Sequence, residues 1–199
     1  CGVEYVELGF RSFGSNTFRG ACAYTKDEFL ESLSIPKNLK VAVMVNATEL
    51  LSYNSKKPLQ NIKILFKKNK KSKVKLVRLA CHYNEVEKIL KVADWLKKNS
   101  FAVAINLMQI AQRSDNEIES IGKIVSKSKI DALYFADSMG GLETKDINRI
   151  ITLLRKSWKG DLGVHTHDNM NRAIENTNAA IEDGVKWVDS TVMGMGRGP

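Results

Sequence analysis

Seven short apolar runs, rich in β-branched residues, recur about every thirty residues and are separated by longer amphipathic stretches. That rhythm predicts an α/β protein built of parallel βα units, because strands buried on both faces read as continuous apolar runs. A closed (β/α)8 TIM barrel takes eight strands and about 250 residues. With 199 residues, seven strands and an opening directly on a strand, the expected architecture is such a barrel lacking its first strand and last helix. An open doubly wound sheet is the alternative the strand number permits, but no Gly-x-Gly-x-x-Gly follows any strand. No linker or composition break interrupts the rhythm, so a single domain is expected over residues 1–199.

Strands are expected at Val3–Leu8, Val41–Val45, Val74–Ala80, Ala102–Leu107, Ala132–Ala136, Leu162–His167 and Trp187–Val192. Helix starts lie between them. Thr25-x-x-Glu28 and Ser114-x-x-Glu117 read as capping boxes, and Asn84 and Thr144 as N-caps. Over Glu85–Lys98, Val86, Ile89, Leu90, Ala93 and Leu96 form one apolar stripe opposite a solvated face of Lys and Asp.

Composition narrows the function. With 43% hydrophobic and 27% charged residues the chain has a globular composition, and no run of eighteen apolar residues offers a membrane span. The opening Cys1-Gly-Val-Glu-Tyr5 carries no basic-then-apolar leader. Cys1, Cys22 and Cys81 are widely spaced and form no Cys-x-x-Cys, which fits a reducing cytoplasm better than a disulfide framework. The net charge of +9 concentrates between Lys56 and Lys75, with nine lysines that include Lys67-Lys68-Asn69-Lys70-Lys71. Interleaved aromatics and arginines are missing there, so a solvated helix end and loop is preferred to a nucleic-acid or anionic-surface site.

His165 and His167 close the sixth run. Side chains at i and i+2 of a strand share a face, their backbones about 6–7 Å apart, and a following helix places them at the carboxyl end where α/β folds keep their chemistry. Two neutral imidazoles aimed into one volume make half of a metal site; a packed or surface pair is the alternative. The chain has three histidines and puts two of them here, which favours the metal reading. Elsewhere Glu7 shares a face with Tyr5 and Gly9, Arg78 with Ala80 and His82, and Ser138 with Tyr134 and Ala136. If one strand precedes the chain, these lie on strands two, four and six, and Glu7 and Arg78 can meet as a buried ion pair in one interior layer. A catalytic role is the other reading for both. Ala136-Asp137-Ser138-Met139-Gly140-Gly141 ends a strand in two glycines that admit a ligand close to backbone amides, or simply make a βα turn. Gly194-Met-Gly-Arg197-Gly-Pro199 is a loop suited to a phosphate or carboxylate, or else a flexible terminus.

Val77-Arg-Leu-Ala-Cys-His82, Phe135-Ala-Asp-Ser-Met-Gly-Gly141, His165-Thr-His-Asp-Asn169, Asn176-Thr-Asn-Ala-Ala-Ile-Glu-Asp-Gly184 and Val188-Asp-Ser-Thr-Val-Met-Gly-Met-Gly196 occur in that order. Together they resemble the HMGL-like (DRE-TIM) metallolyase superfamily, and most of all the catalytic domain of its 4-hydroxy-2-oxovalerate aldolase branch. The resemblance implies a TIM barrel whose divalent ion is bound by His165 and His167. Manganese comes first among the ions, with magnesium, cobalt and zinc admitted. It implies Ser138 and His82 as catalytic residues, and Ser138, Arg78, Asn46 and Gly140 as substrate-binding ones. The carboxylate of a short 2-oxo acid would sit at Ser138 and Gly140-Gly141, with the aldehyde end toward Asn46 and Asn106. The implied reaction cleaves or forms a 4-hydroxy-2-oxo acid through a pyruvate enolate. The same metal site would serve a Claisen-type acyl-CoA synthase or lyase (isopropylmalate or citramalate synthase, or HMG-CoA lyase), but Ala-Asp-Ser-Met-Gly-Gly favours the aldolase branch. A non-catalytic metal-binding scaffold, or an interaction protein using the lysine patch, is the third reading. Expected partners are a small-molecule 2-oxo acid and an aldehyde, a second copy of the chain and a dehydrogenase, with no nucleic acid and no membrane, in the cytoplasm. The family's Arg-Asp pair on the first strand and its Gly-Asn after the glycine-rich loop are not in this sequence. The chain is therefore expected to be an internal piece of a longer protein, or a truncated and inactive product.

Overall fold

The computed structural model describes residues 2–14, 19–55, 57–66 and 72–192. The lysine run Lys67-Lys68-Asn69-Lys70-Lys71, the glycine-rich loop from Gly194 and Cys1 lie outside the described residues. The chain packs as two compact units, Cys1–Ala80 with Lys88–Ala104, and Cys81–Glu87 with Ile105–Pro199.

In the first unit β1 (Tyr5–Phe10), β2 (Lys40–Asn46) and β3 (Val74–Cys81) pair in parallel and in chain order. The connections carry α1 (Asp27–Ser32), α2 (Ala47–Ser52) and α3 (Pro58–Leu65). Val41, Ala42, Val43 and Val45 of β2 are all buried, as are Val77, Leu79 and Ala80 of β3. Burial of consecutive residues on both strand faces is what a parallel sheet covered by helices requires. Pro58 opens α3, where its missing N–H costs no hydrogen bond. The expected ion pair is present: Arg78 Nη1 stands 3.3 Å from Glu7 Oε2, with the arginine side chain 5% exposed.

In the second unit β5 (Ala132–Ala136), β6 (Asp161–His165) and β7 (Trp187–Val188) again pair in parallel and in chain order. Their helices are α5 (Asp115–Val125), α6 (Thr144–Arg155) and α7 (Ala173–Glu182). The residues of α4 (Val86–Lys98) and β4 (Ala102–Leu107) are divided between the two units. Ile147, Ile150, Ile151 and Leu154 bury one side of α6, and Ile118, Ile121 and Val125 one side of α5. No helix among the described residues is long and apolar enough to cross a membrane.

The expected strands are all present, two of them with the expected ends and the others with ends moved by at most two residues, except the last, which stops at Val188. Three caps are corrected. Thr25 has a positive φ of 35° and bonds the Cys22 carbonyl, so α1 follows Lys26 without a side-chain cap. Asn84 lies inside the short turn Tyr83–Glu85 that precedes α4. Glu143, not Thr144, caps α6, its side chain exchanging bonds with Asp146 in a capping box. Ser114–Glu117 caps α5 as expected, Glu117 N–H reaching Ser114 Oγ at 3.4 Å and Ser114 N–H reaching Glu117 Oε2 at 2.9 Å. In α4 the stripe takes in Val92 while Leu90 is only half-buried.

Candidate functional site

The site grows out of the register of three strands. Ala136 pairs with His165, and Val164 pairs with Val188. The ladder continues past the end of β5, where Asp137 N–H donates to the His165 carbonyl at 2.9 Å. One more step along each chain brings Ser138 beside His167 and Asp189 beside His165. Below them Gly163 lies flush on Tyr134: a Cβ there would sit 2.6 Å from the ring. The same ring meets Trp187 edge-on at 6.4 Å. Only glycine lets β6 lie this close, so the trio of strands is a tightly packed base for the residues above it.

His165 Nδ1 stands 2.7 Å from Asp189 Oδ2, and His167 Nδ1 stands 3.1 Å from the Ser138 carbonyl oxygen. A carboxylate and a carbonyl can only accept, so the proton of each neutral ring belongs on Nδ1. Each Nε2 then presents a lone pair, and the two Nε2 atoms are 3.2 Å apart with the rings nearly perpendicular at 81°. Two lone pairs facing at that distance repel unless a cation or a proton lies between them. Nitrogens each about 2.0–2.1 Å from one ion stand about 2.9 Å apart at a right angle and about 3.3 Å apart in a tetrahedron. The observed spacing falls between these, and a histidine ligand backed by a carboxylate or carbonyl is the usual arrangement around a metal. The pair therefore fits a divalent ion as two adjacent ligands. Among the described residues no group of three or more His, Cys, Asp and Glu is arranged to hold a metal, so the two histidines by themselves would fill only part of a coordination sphere.

The loop after β5 frames the pair. Asp137 is buried and accepts from Gly141 N–H and Leu142 N–H, both at 3.1 Å, which folds the turn back on itself. Gly140 has φ +63° and lies against Asn169, where a Cβ would fall 2.6–2.9 Å from three Asn169 atoms. Ser138 Oγ accepts from Gln109 N–H at 2.9 Å, holding Gln109 in a left-handed conformation at the end of β4. A hydroxyl that accepts still has its own proton to donate.

The other candidates are placed differently. His82 N–H donates to Glu85 Oε2 at 2.9 Å, on the turn that starts α4. In the first unit Asn46 Oδ1 caps α2 by accepting Glu49 N–H at 3.1 Å, and Arg78 is paired with Glu7. Asn106 is buried near the end of β4. Asp189 is not among the residues that the sequence points to, and of the neighbours Asp137 and Ser138, which face opposite ways, the sequence favours Ser138. The signal for Asp189 is a lone carboxylate inside the expected strand Trp187–Val192, which follows the histidine strand in a parallel order.

Residues 1–198 match the family model described as HMGL-like. This chain belongs to the HMGL-like family. A 4-hydroxy-2-oxovalerate aldolase of Carboxydothermus hydrogenoformans is 28% identical over 99% of the chain and 56% of its own length. One from Bacillus cereus is 31% identical over 62% of the chain and 36% of its own length. An oxaloacetate decarboxylase of Mycobacterium tuberculosis is 24% identical over 99% of the chain and 56% of its own length. The chain thus spans about a third to just over half the length of these curated relatives. Among solved structures, the N-terminal domain of an aldolase candidate from Bacteroides vulgatus superposes with a TM-score of 0.80 and 27% identity, covering 98% of this chain and 62% of that one. An HMG-CoA lyase of Bacillus subtilis gives 0.76 at 14% identity over 100% of this chain and 67% of that one, a likeness of fold alone. The family's TIM barrel, present here in part, is the fold expected from the sequence.

Proposed function

We propose that this protein is a divalent-metal-dependent aldolase that cleaves or forms a 4-hydroxy-2-oxo acid through a pyruvate enolate. The observation that carries the reading is the pair of Nε2 atoms 3.2 Å apart, each ring backed by an acceptor on Nδ1. The aldolases among the relatives support the substrate class. His165 and His167 would hold the ion, manganese first among the candidates, which would supply Lewis-acid stabilisation of negative charge on the oxo acid. Ser138 donates its hydroxyl proton to the carboxylate end of the oxo acid while the Gln109 N–H orients its oxygen. The turn at Gly140 holds the Asn169 segment against that loop, and His82 is the further candidate for proton transfer. The small-molecule oxo acid and aldehyde are met in the cytoplasm.

The test is the double variant His165→Ala/His167→Ala in the protein as the cell makes it. Mn²⁺ binding and metal-dependent release of pyruvate should both be lost. A double variant that keeps stoichiometric Mn²⁺ and full turnover overturns the proposal. Turnover of a CoA thioester in place of a hydroxy-oxo acid replaces the aldolase reading with the Claisen branch.

A further inference from the structure

We infer that Asp189 is a positioning residue that selects which nitrogen His165 presents to the site. The register Gly163–Trp187 and Val164–Val188 carries the chain so that Asp189, the first residue after β7, comes alongside His165. Its carboxylate reaches Nδ1 at 2.7 Å in a partly buried setting, the two side chains 21% and 30% exposed. An imidazole in water is at liberty to carry its proton on either nitrogen. Here the carboxylate cannot donate, so the proton is drawn to Nδ1 and the lone pair is left on Nε2, the atom that faces His167.

The two histidines differ in how this is achieved. His167 takes the same form from the backbone carbonyl of Ser138, which no side-chain substitution removes. Asp189 is thus the replaceable group of the pair, and the one that brings negative charge. Loss of a carboxylate partner behind a metal-ligating ring typically weakens metal binding about 10–100-fold. The short β7 therefore does more than close a sheet edge: it delivers the group that orients a ligand on the neighbouring strand.

The affinity half of the test rests on the metal reading above; the tautomer half does not. In the metal-free protein, two-bond ¹H–¹⁵N spectra of labelled histidine should show both rings protonated on Nδ1. In Asp189→Ala the His165 signal should move toward the Nε2-protonated form, while that of His167 stays. Mn²⁺ affinity should fall about 10–100-fold, and Asp189→Asn, which keeps an acceptor without the charge, should fall between. An unchanged His165 tautomer in a folded Asp189→Ala variant overturns the inference. If Asp189→Ala does not fold, Asp189→Asn carries the test, and affinity equal to that of the parent overturns it. A tautomer change in a protein that never binds Mn²⁺ upholds the role of Asp189 and overturns the metal reading instead.

Discussion

In the first unit Asn46 caps α2, Arg78 is paired with Glu7, and Arg11 is held by the Thr25 carbonyl at 2.9 Å and Asp27 at 2.7 Å. In the second, His165 and His167 turn their ring nitrogens toward each other across 3.2 Å. Both regions place polar side chains on parallel strands or just beyond their ends, yet they answer the cost of burial in opposite ways. Where a charge meets its opposite, the group serves the fold. Where like groups are brought face to face and fixed from behind, the arrangement is the one that the proposed metal ion would complete. Complementary partners mark structure, and the opposed ring nitrogens are what the proposed metal site rests on.

The largest effect on that contrast comes from breaking a pair in the first unit. Arg78→Met removes the guanidinium and leaves the Glu7 carboxylate, which is 26% exposed. Removing one partner of a fully buried pair costs about 3–5 kcal/mol, and the partial exposure of Glu7 brings the expectation to about 2–4 kcal/mol. Urea unfolding should show it. The Nδ1 tautomer of His165 should be untouched, because its acceptor Asp189 is unaltered. A variant as stable as the parent would mean that the pair is not structural, and would return Arg78 to the candidates for substrate binding.

A substitution within the second unit tests the other side. Gly140→Ala must adopt φ +63° and push its Cβ into Asn169, two residues from His167. Holding a side chain there costs about 1–3 kcal/mol, and relief can come only by moving the Asn169 segment. Mn²⁺ affinity should fall together with the melting temperature. Gly141→Ala is the control, since a Cβ at that glycine meets nothing within 4 Å. Equal behaviour of the two variants would show that the loop contact does not position His167.

The legibility of the chain follows the same division. Continuous apolar runs announced every strand, and the Ser114–Glu117 spacing announced a cap, because such signals depend on neighbours within a turn or a strand. The shared face of His165 and His167 was legible for the same reason: i and i+2 geometry persists even though β6 ends at His165. Asp189 was not legible, because its partner is on another strand and the meeting depends on register, which no local pattern states. Thr25 and Thr144 failed as caps for a related reason. Thr25 is drawn into a turn with Cys22, and Glu143 with Asp146 outcompetes Thr144 one residue later.

The smallest expected effect concerns the opposite end of the histidine strand. Asp161 opens β6 as His165 closes it, and it shows what a complementary pairing does on the same element. Its carboxyl is held below the usual carboxylate range, chiefly by the Lys186 ammonium at 2.9 Å, opposed by partial burial and aided by the Trp187 indole N–H. A depressed folded-state value means that the carboxylate contributes stability above the unfolded value of about 3.9. That contribution is lost as pH falls below about 4 and through the folded value. Asp161 is 37% exposed and Lys186 68% exposed, so solvent screening keeps the contribution under about 1 kcal/mol. Asp161→Asn should therefore flatten the acid limb of a stability-against-pH curve by a small amount, and 0.5 M salt should shrink the difference further. It should leave Mn²⁺ affinity at the parent's value, because the Asp189–His165 contact lies at the other end of the strand. An acid limb unchanged by the substitution would remove Asp161 from the pH response, and a drop in Mn²⁺ affinity would show that the two ends of β6 are not as separable as their pairings indicate.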